Sequence, residues 1–275
     1  VHAIGPRTGE REVEIAIAVH IVNEDRDARV PVQFPIGMPN RASGAAVVLA
    51  DRRARLSALH EGRRLVIPAG PARVRSNDTD YLYRAHSAFL HLTGWGSDAV
   101  PGSVLVLEPR GGDEGGHDAT LYFRESAGRD TDEFYANPEI GEFWTGRRPS
   151  LAEVAAELDL GTGSLRDLLA DDLQARFADA ATLVIPGADS ALAARLGDRA
   201  DELAALDAEL ARDASELRLV KDGWEVEELR AAVAATHRGF DDIVADLSEA
   251  AEHPRGERVV AGTFNRRARV DGNAA

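Results

Sequence analysis

The chain has 275 residues, 44% of them hydrophobic, and 47 acidic against 32 basic side chains give it a net charge of −15. That is enough apolar material for one large domain or two ordinary ones, while the acidic excess argues against nucleic acid, which needs a clustered cationic face. Having no cysteine, the chain has no disulfide, thiolate metal site or cysteine nucleophile; with no run approaching the roughly 18 apolar residues of a membrane span, a cytoplasmic globular protein is expected.

The first segment, residues 1–46, stands apart. It lacks the basic start and apolar run of a signal peptide. Val13, Ile15, Ile17, Val19 and Ile21 alternate with polar or small residues, and Val30, Val32, Phe34 and Ile36 repeat the pattern after a charged turn. Period-2 alternation predicts a β-hairpin, or failing that a disordered arm, with Pro31 and Pro35 confining its second strand to an edge.

From Ala50 to His60 the spacing is helical with a basic outer face, which predicts a helix whose arginines lie in solvent. Arg63–Gly70 reads as a short buried strand ending at Pro68. Next comes Arg75–Gly96, where four aromatics (Tyr81, Tyr83, Phe89, Trp95), two histidines and two arginines share twenty-two residues. The plain reading caps a short helix with Asn77 or Asp78 and places Leu82 and Phe89 in the core.

Two apolar runs, 103–109 and 119–125, flank a glycine-rich acidic loop and predict a second hairpin. Ser150 and Glu153 form a capping-box pattern that starts a helix. An amphipathic segment covers 165–177, a buried strand 181–187, and a leucine stripe (Leu192, Leu196, Leu203, Leu206, Leu210) predicts one helix from Ala188 to Arg212. Strands alternating with helices give an α/β fold. After Leu217–Lys221, which reads as a hinge, Asp222 and Glu225 cap a long helix striped by Leu229, Val233, Thr236, Phe240, Ile243 and Leu247; Pro254 ends it, and a further helix is expected from Glu257.

Familiar catalytic patterns are missing. Asp78, Asp80, His86 and His91 are the nearest approach to a metal set, but a spacing of five sends the two histidines to different helix faces, and no HExxH or GxSxG occurs. Gly161-Thr-Gly163 lacks the third glycine of a dinucleotide loop, and the GGDEGG loop has neither a Walker lysine nor a following helix. His237, beside the stripe, reads as a hydrogen-bonded structural histidine. Trp144, flanked by Gly146, Arg147 and Arg148, fits either a packing indole or a stacking, interface residue.

RSNDTDYLYR (75–84), SAFLHLTGW (87–95), VLVLEP (104–109), FWTGRR (143–148) and LRLVKDGWEVEELRAA (217–232), in that order, resemble the aminopeptidase P (Xaa-Pro aminopeptidase) family from Val48 onward. The resemblance implies a creatinase-like α/β domain with a mixed β-sheet flanked by helices at 47–216, then an incomplete helical start of a pita-bread catalytic domain at 217–275. It also implies a peptide substrate, a homo-oligomer (dimer or tetramer), and two Mn(II) ions in the complete enzyme, which removes the N-terminal residue preceding proline. The family's metal ligands (two aspartates, a histidine and two glutamates) lie beyond the segment matching 265–273, so no catalytic or metal residue is assigned and this chain is expected to bind no metal and to be inactive. Trp144, with Arg147, resembles a tryptophan that reaches a neighbouring subunit's active site; Asp78, Tyr81 and Arg84 are signature or interface positions. The alternative is a non-catalytic oligomerisation or binding module derived from the family.

Overall fold

The computed structural model of the chain describes residues 43–77, 79–96, 99–111, 115–170, 172–177 and 181–272. The hairpin predicted between Val13 and Ile36, and Asp78, therefore lie outside the described residues. In chain order the elements are α1 (Ser43–Leu59), β1 (Arg64–Pro68), β2 (Val74–Ser76), β3 (Thr79–Asp80), α2 (Ser87–Thr93), β4 (Val104–Pro109), β5 (His117–Phe123), α3 (Glu133–Ala136), α4 (Glu142–Thr145), α5 (Leu151–Leu158), β6 (Gly161–Ser164), α6 (Leu165–Ala170), α7 (Leu173–Arg176), β7 (Thr182–Val184), α8 (Ser190–Arg195), α9 (Asp201–Glu216), α10 (Gly223–Glu252) and α11 (Gly256–Val270).

Five strands make one mixed sheet in the order β6-β5-β4-β1-β7, with β2 and β3 forming a separate small hairpin. The predicted hairpin is β4 on β5, antiparallel with Leu105 opposite Leu121; β1 runs antiparallel to β4 and parallel to β7, and β6 runs parallel to β5. Because side chains alternate along a strand, a strand covered on both faces must be apolar throughout. That is the case for β1, all five of whose residues are buried. On one face Leu65, Ile67, Leu105, Leu107, Leu121 and Phe123 meet Leu56 of α1, Phe89 and Leu92 of α2, Val154 and Leu158 of α5, and Leu210 of α9. On the other, Val66, Val104, Val106 and Val184 meet Leu165 and Leu168 of α6, Leu173 of α7 and Leu192 of α8. Each fully buried leucine, isoleucine or phenylalanine contributes about 1.5–3 kcal/mol relative to exposure.

The capping boxes predicted at Ser150/Glu153 and Asp222/Glu225 are both formed. Elsewhere the local reading needs correction. Asn77, rather than capping a helix, turns the β2–β3 hairpin with φ 47°; the helix begins ten residues later, with the His86 ring accepting from the Ala88 amide. Phe89 is buried as expected, but Leu82 is 87% exposed. The single helix predicted over 188–212 is two, α8 and α9, because the chain leaves helical geometry at Gly197, whose φ of 85° suits glycine and which packs against the Gln174 side chain. The 165–177 segment is likewise split, with Asp172 capping α7 afresh.

Helices α10 and α11 form an antiparallel pair. Phe240 packs on Phe264, and Arg267 donates to Asp242 at 2.6 Å. Its predicted apolar stripe is not covered by the described residues: Leu229, Val233, Phe240 and Leu247 are each more than half exposed. His237, expected to be a structural histidine, is exposed as well. No helix among the described residues is long and apolar enough to cross a membrane.

Candidate functional site

Between β5 and α5 the chain folds into a small ledge of two single-turn helices. The Ala127 amide donates to the Ile140 carbonyl at 2.7 Å and the Glu142 amide to the Ala127 carbonyl at 3.0 Å, fixing α4 beside the strand end. Phe134, only 8% exposed, anchors the ledge. Tyr135 and Phe143 meet its ring edge-on at centroid distances of 4.5 and 6.1 Å, and Trp144 meets Phe143 at 5.0 Å.

The Trp144 indole Nε1 donates to the Tyr135 carbonyl at 2.9 Å. Its polar edge is thus satisfied within the ledge, leaving the ring 58% exposed beside Tyr135 at 67% and Phe143 at 56%. Three large aromatic faces in one place are what a recognition surface offers: rigid apolar area at little conformational cost. Trp144 is therefore no core residue. Tyr135 went unnoticed in the sequence; the signal for it was there in two aromatic pairs, Phe134-Tyr135 and Phe143-Trp144, either side of a proline-glycine stretch.

Cations line the rim. Arg147 donates to Glu153 at 2.5 Å, the glutamate of the α5 capping box, whose carboxyl is held below the usual range by the Ser150 backbone amide first and Arg147 second. Arg148 donates to the Glu139 carbonyl at 2.9 Å. Beneath the ledge lies a cavity of about 580 Å³ walled in part by Glu133, Asn137, Ile140 and Arg166, with Arg166 paired to Glu133 at 2.7 Å.

Trp144 and Arg147 thus share one surface. Tyr81 and Arg84 are also exposed, but they follow β3 and, among the described residues, no hydrogen bond or ion pair joins them to the ledge. Neighbouring Tyr83 donates to the Gly70 carbonyl at 2.9 Å, and burial first, then Asp189, pushes its phenol up to about 12. The residues nearest to a metal set are otherwise engaged: His86 caps α2 and His91 is buried. No group of three or more histidine, aspartate or glutamate side chains that could hold a metal ion occurs among the described residues. They do not fit a two-metal hydrolytic centre.

The fold and ledge define an α/β domain of mixed sheet whose exposed chemistry is recognition through aromatic faces and guanidinium groups. Residues 49–193 match the family described as aminopeptidase P, N-terminal domain. Over 225 residues the chain is 46% identical to Xaa-Pro aminopeptidase 2 of Streptomyces coelicolor, covering 82% of this chain and 45% of that protein. It is 42% identical over 228 residues to Xaa-Pro aminopeptidase 1 of the same organism, covering 83% and 44%. Among solved structures, aminopeptidase P from Escherichia coli in its low-pH form superposes with a TM-score of 0.59 at 20% identity, over 82% of this chain and 50% of that one. A putative aminopeptidase P from Bacillus anthracis gives 0.58 at 18%, over 83% and 52%; at such identities these two speak to the fold alone. The chain belongs to the aminopeptidase P family and carries its N-terminal domain. It spans about half the length of the curated relatives it matches.

Proposed function

We propose that this chain supplies the assembly and substrate-access half of an Xaa-Pro aminopeptidase, an enzyme removing the N-terminal residue that precedes proline. The family match over residues 49–193 carries this reading. Hydrolysis in such an enzyme uses a pair of metal ions, usually manganese, to activate the attacking water; the described residues do not form that centre, so no step of the chemistry is assigned to them. In this reading 47–216 is the assembly domain and 217–275 opens the catalytic one. The protein works as a homodimer or homotetramer in the cytoplasm, a compartment compatible with its lack of cysteine. The ledge lies at a subunit contact, with Trp144 and Arg147 facing the neighbour's substrate channel.

Incubated with Mn(II) and an Xaa-Pro peptide, this chain is expected to show no turnover above buffer. Enzyme-like turnover in a preparation free of full-length peptidase would overturn the inactivity. Trp144→Ala is expected to change stability by only about 0.5 kcal/mol, as for most exposed positions, while shifting the native mass toward monomer; an unchanged mass would remove the ledge from the interface. The exposed ledge also suits the alternative, a non-catalytic module that joins a full-length peptidase. A hetero-oligomer with such a homologue whose activity per active site is independent of this chain's Trp144 would favour that alternative.

A further inference from the structure

Arg52 was expected to lie in solvent, yet it is 3% exposed. From α1 its guanidinium donates to Asp222 Oδ2 through Nε at 2.8 Å and Nη2 at 2.5 Å, and through Nη1 to the His91 carbonyl of α2 at 3.1 Å. The same group lies 5.5 Å from the Trp224 ring centroid and 3.5 Å from the Glu225 carboxylate. Asp222 is meanwhile the cap of α10, its Oδ1 accepting from the Glu225 amide at 2.9 Å. One buried guanidinium therefore ties three elements together: α1, the end of α2 and the start of α10. Because α10 packs chiefly on α11 and leaves its stripe exposed, this tie is a principal attachment of the helix pair to the sheet domain.

The His91 ring sits against the tie. It is 8% exposed, and its Nε2 is buried without a hydrogen-bond partner among the described residues. We propose that Arg52, Asp222 and His91 form a proton-sensitive latch, closed while the buried imidazole is neutral and opened when it takes a proton. The charged groups around the ring are Arg52 from α1, Arg218 and Lys221 from the connector, and Asp222 from α10. An imidazolium would add a fourth cation to three already facing one carboxylate at that point, in a site with little water to screen them. Burial first, then Arg52 and Arg218, brings the ring down from 6.5 to about 4. Asp222 stays charged across that interval: burial would raise its carboxyl, but the Glu225 amide and Arg52 outweigh burial and hold it below its usual value.

The sign follows from linkage. A histidine whose closed-state pKa is depressed stabilises the closed state fully above pH 6.5, and that stability drains away as pH falls from 6.5 toward about 4. The latch does not depend on the peptidase reading; it is a property of this chain alone.

Hydrogen exchange of the α10 amides from Val226 to Arg230, corrected for intrinsic rate, tests it on the whole chain. Local opening is expected to rise about thirtyfold between pH 7.5 and 5.0, and to be nearly flat with pH in His91→Gln. Arg52→Gln is expected to raise exchange already at pH 7.5. An equal acid response in His91→Gln, or none in the parent, overturns the latch. Should His91→Gln fail to fold, the parent's imidazole titrated by NMR decides: a His91 midpoint at or above 6.5 overturns it, and one well below supports it.

Discussion

Asp207→Ala is expected to destabilise the sheet domain by about 3–5 kcal/mol, the cost typical of removing one member of a buried ion pair. Strand β7 is an edge strand, and its outward backbone groups must be satisfied by something other than a neighbouring strand. Asp207, on α9, does this: it is 4% exposed, and its Oδ1 accepts from the Val184 amide at 2.8 Å. Arg199, in the gap between α8 and α9, completes the arrangement. Its Nη2 donates to the Thr182 carbonyl at 2.8 Å and to Asp207 Oδ1 at 2.6 Å, while Nε donates to Asp207 Oδ2 at 2.8 Å. Truncating the aspartate strands an amide and a guanidinium together. A melting temperature lowered by about 10 °C is expected for a domain of this size. Asp207→Asn, which keeps an acceptor for Val184 but loses the charge facing Arg199, should fall between. A drop of less than about 2 °C in Asp207→Ala would mean that water relieves the edge as well as the aspartate does.

The contrast between β7 and its cap shows what the sequence made legible. Buried strands announce themselves, since a strand covered on both faces has no place for a polar residue; β1, β4 and β7 could be read from residue types alone. The burial of Asp207 could not. It lies within a leucine-striped helix among other acids, and nothing local separates it from its exposed neighbours Ala208 and Glu209. Arg52 shows the same limit more sharply, because its partner Asp222 is 170 residues away. A charge run is read as solvated until the chain brings a carboxylate to it, and only tertiary structure says which arginine receives one. The leucine stripe failed in the opposite way: Leu192 and Leu196 keep a helical rhythm with Leu203, but Gly197 lets the backbone turn between them and the rhythm carries on in a second helix.

At the ledge the motif FWTGRR drew attention to Trp144 and Arg147 through resemblance. That the indole is exposed and Phe134 buried is decided by packing with Tyr135, outside the motif. The two ends of the described structure thus use aromatic residues differently. At the ledge they are held out by their own contacts, whereas Trp224 is folded over Arg52 at the α10 junction.

Gly141→Ala is expected to dismantle the ledge while leaving the sheet folded. The backbone is not the obstacle, since φ at Gly141 is −64°, ordinary for alanine. Space is. A Cβ there would lie within 2.8 Å of three carbonyl oxygens, those of Glu133, Phe134 and Asn137; all are backbone atoms that no rotamer change can move. Overpacking of this kind costs about 1–3 kcal/mol or more, and α3 and α4, each a single turn with one buried aromatic anchor, hold little with which to offset it. The Asn137 carbonyl also accepts from the Gly141 amide at 2.8 Å, so pushing the chains apart breaks the bond that closes the turn. The indole N–H resonance of Trp144, bonded to Tyr135 in the parent, should move to the position of a free indole, while that of buried Trp95 stays. Gly146→Ala is the control: its φ of 71° strains an alanine, but nothing lies within 4 Å of the added carbon, and a cost near 1 kcal/mol with the Trp144 resonance unmoved is expected. If Gly141→Ala leaves that resonance in place, the ledge is softer than its contacts imply and cannot serve as a rigid recognition surface.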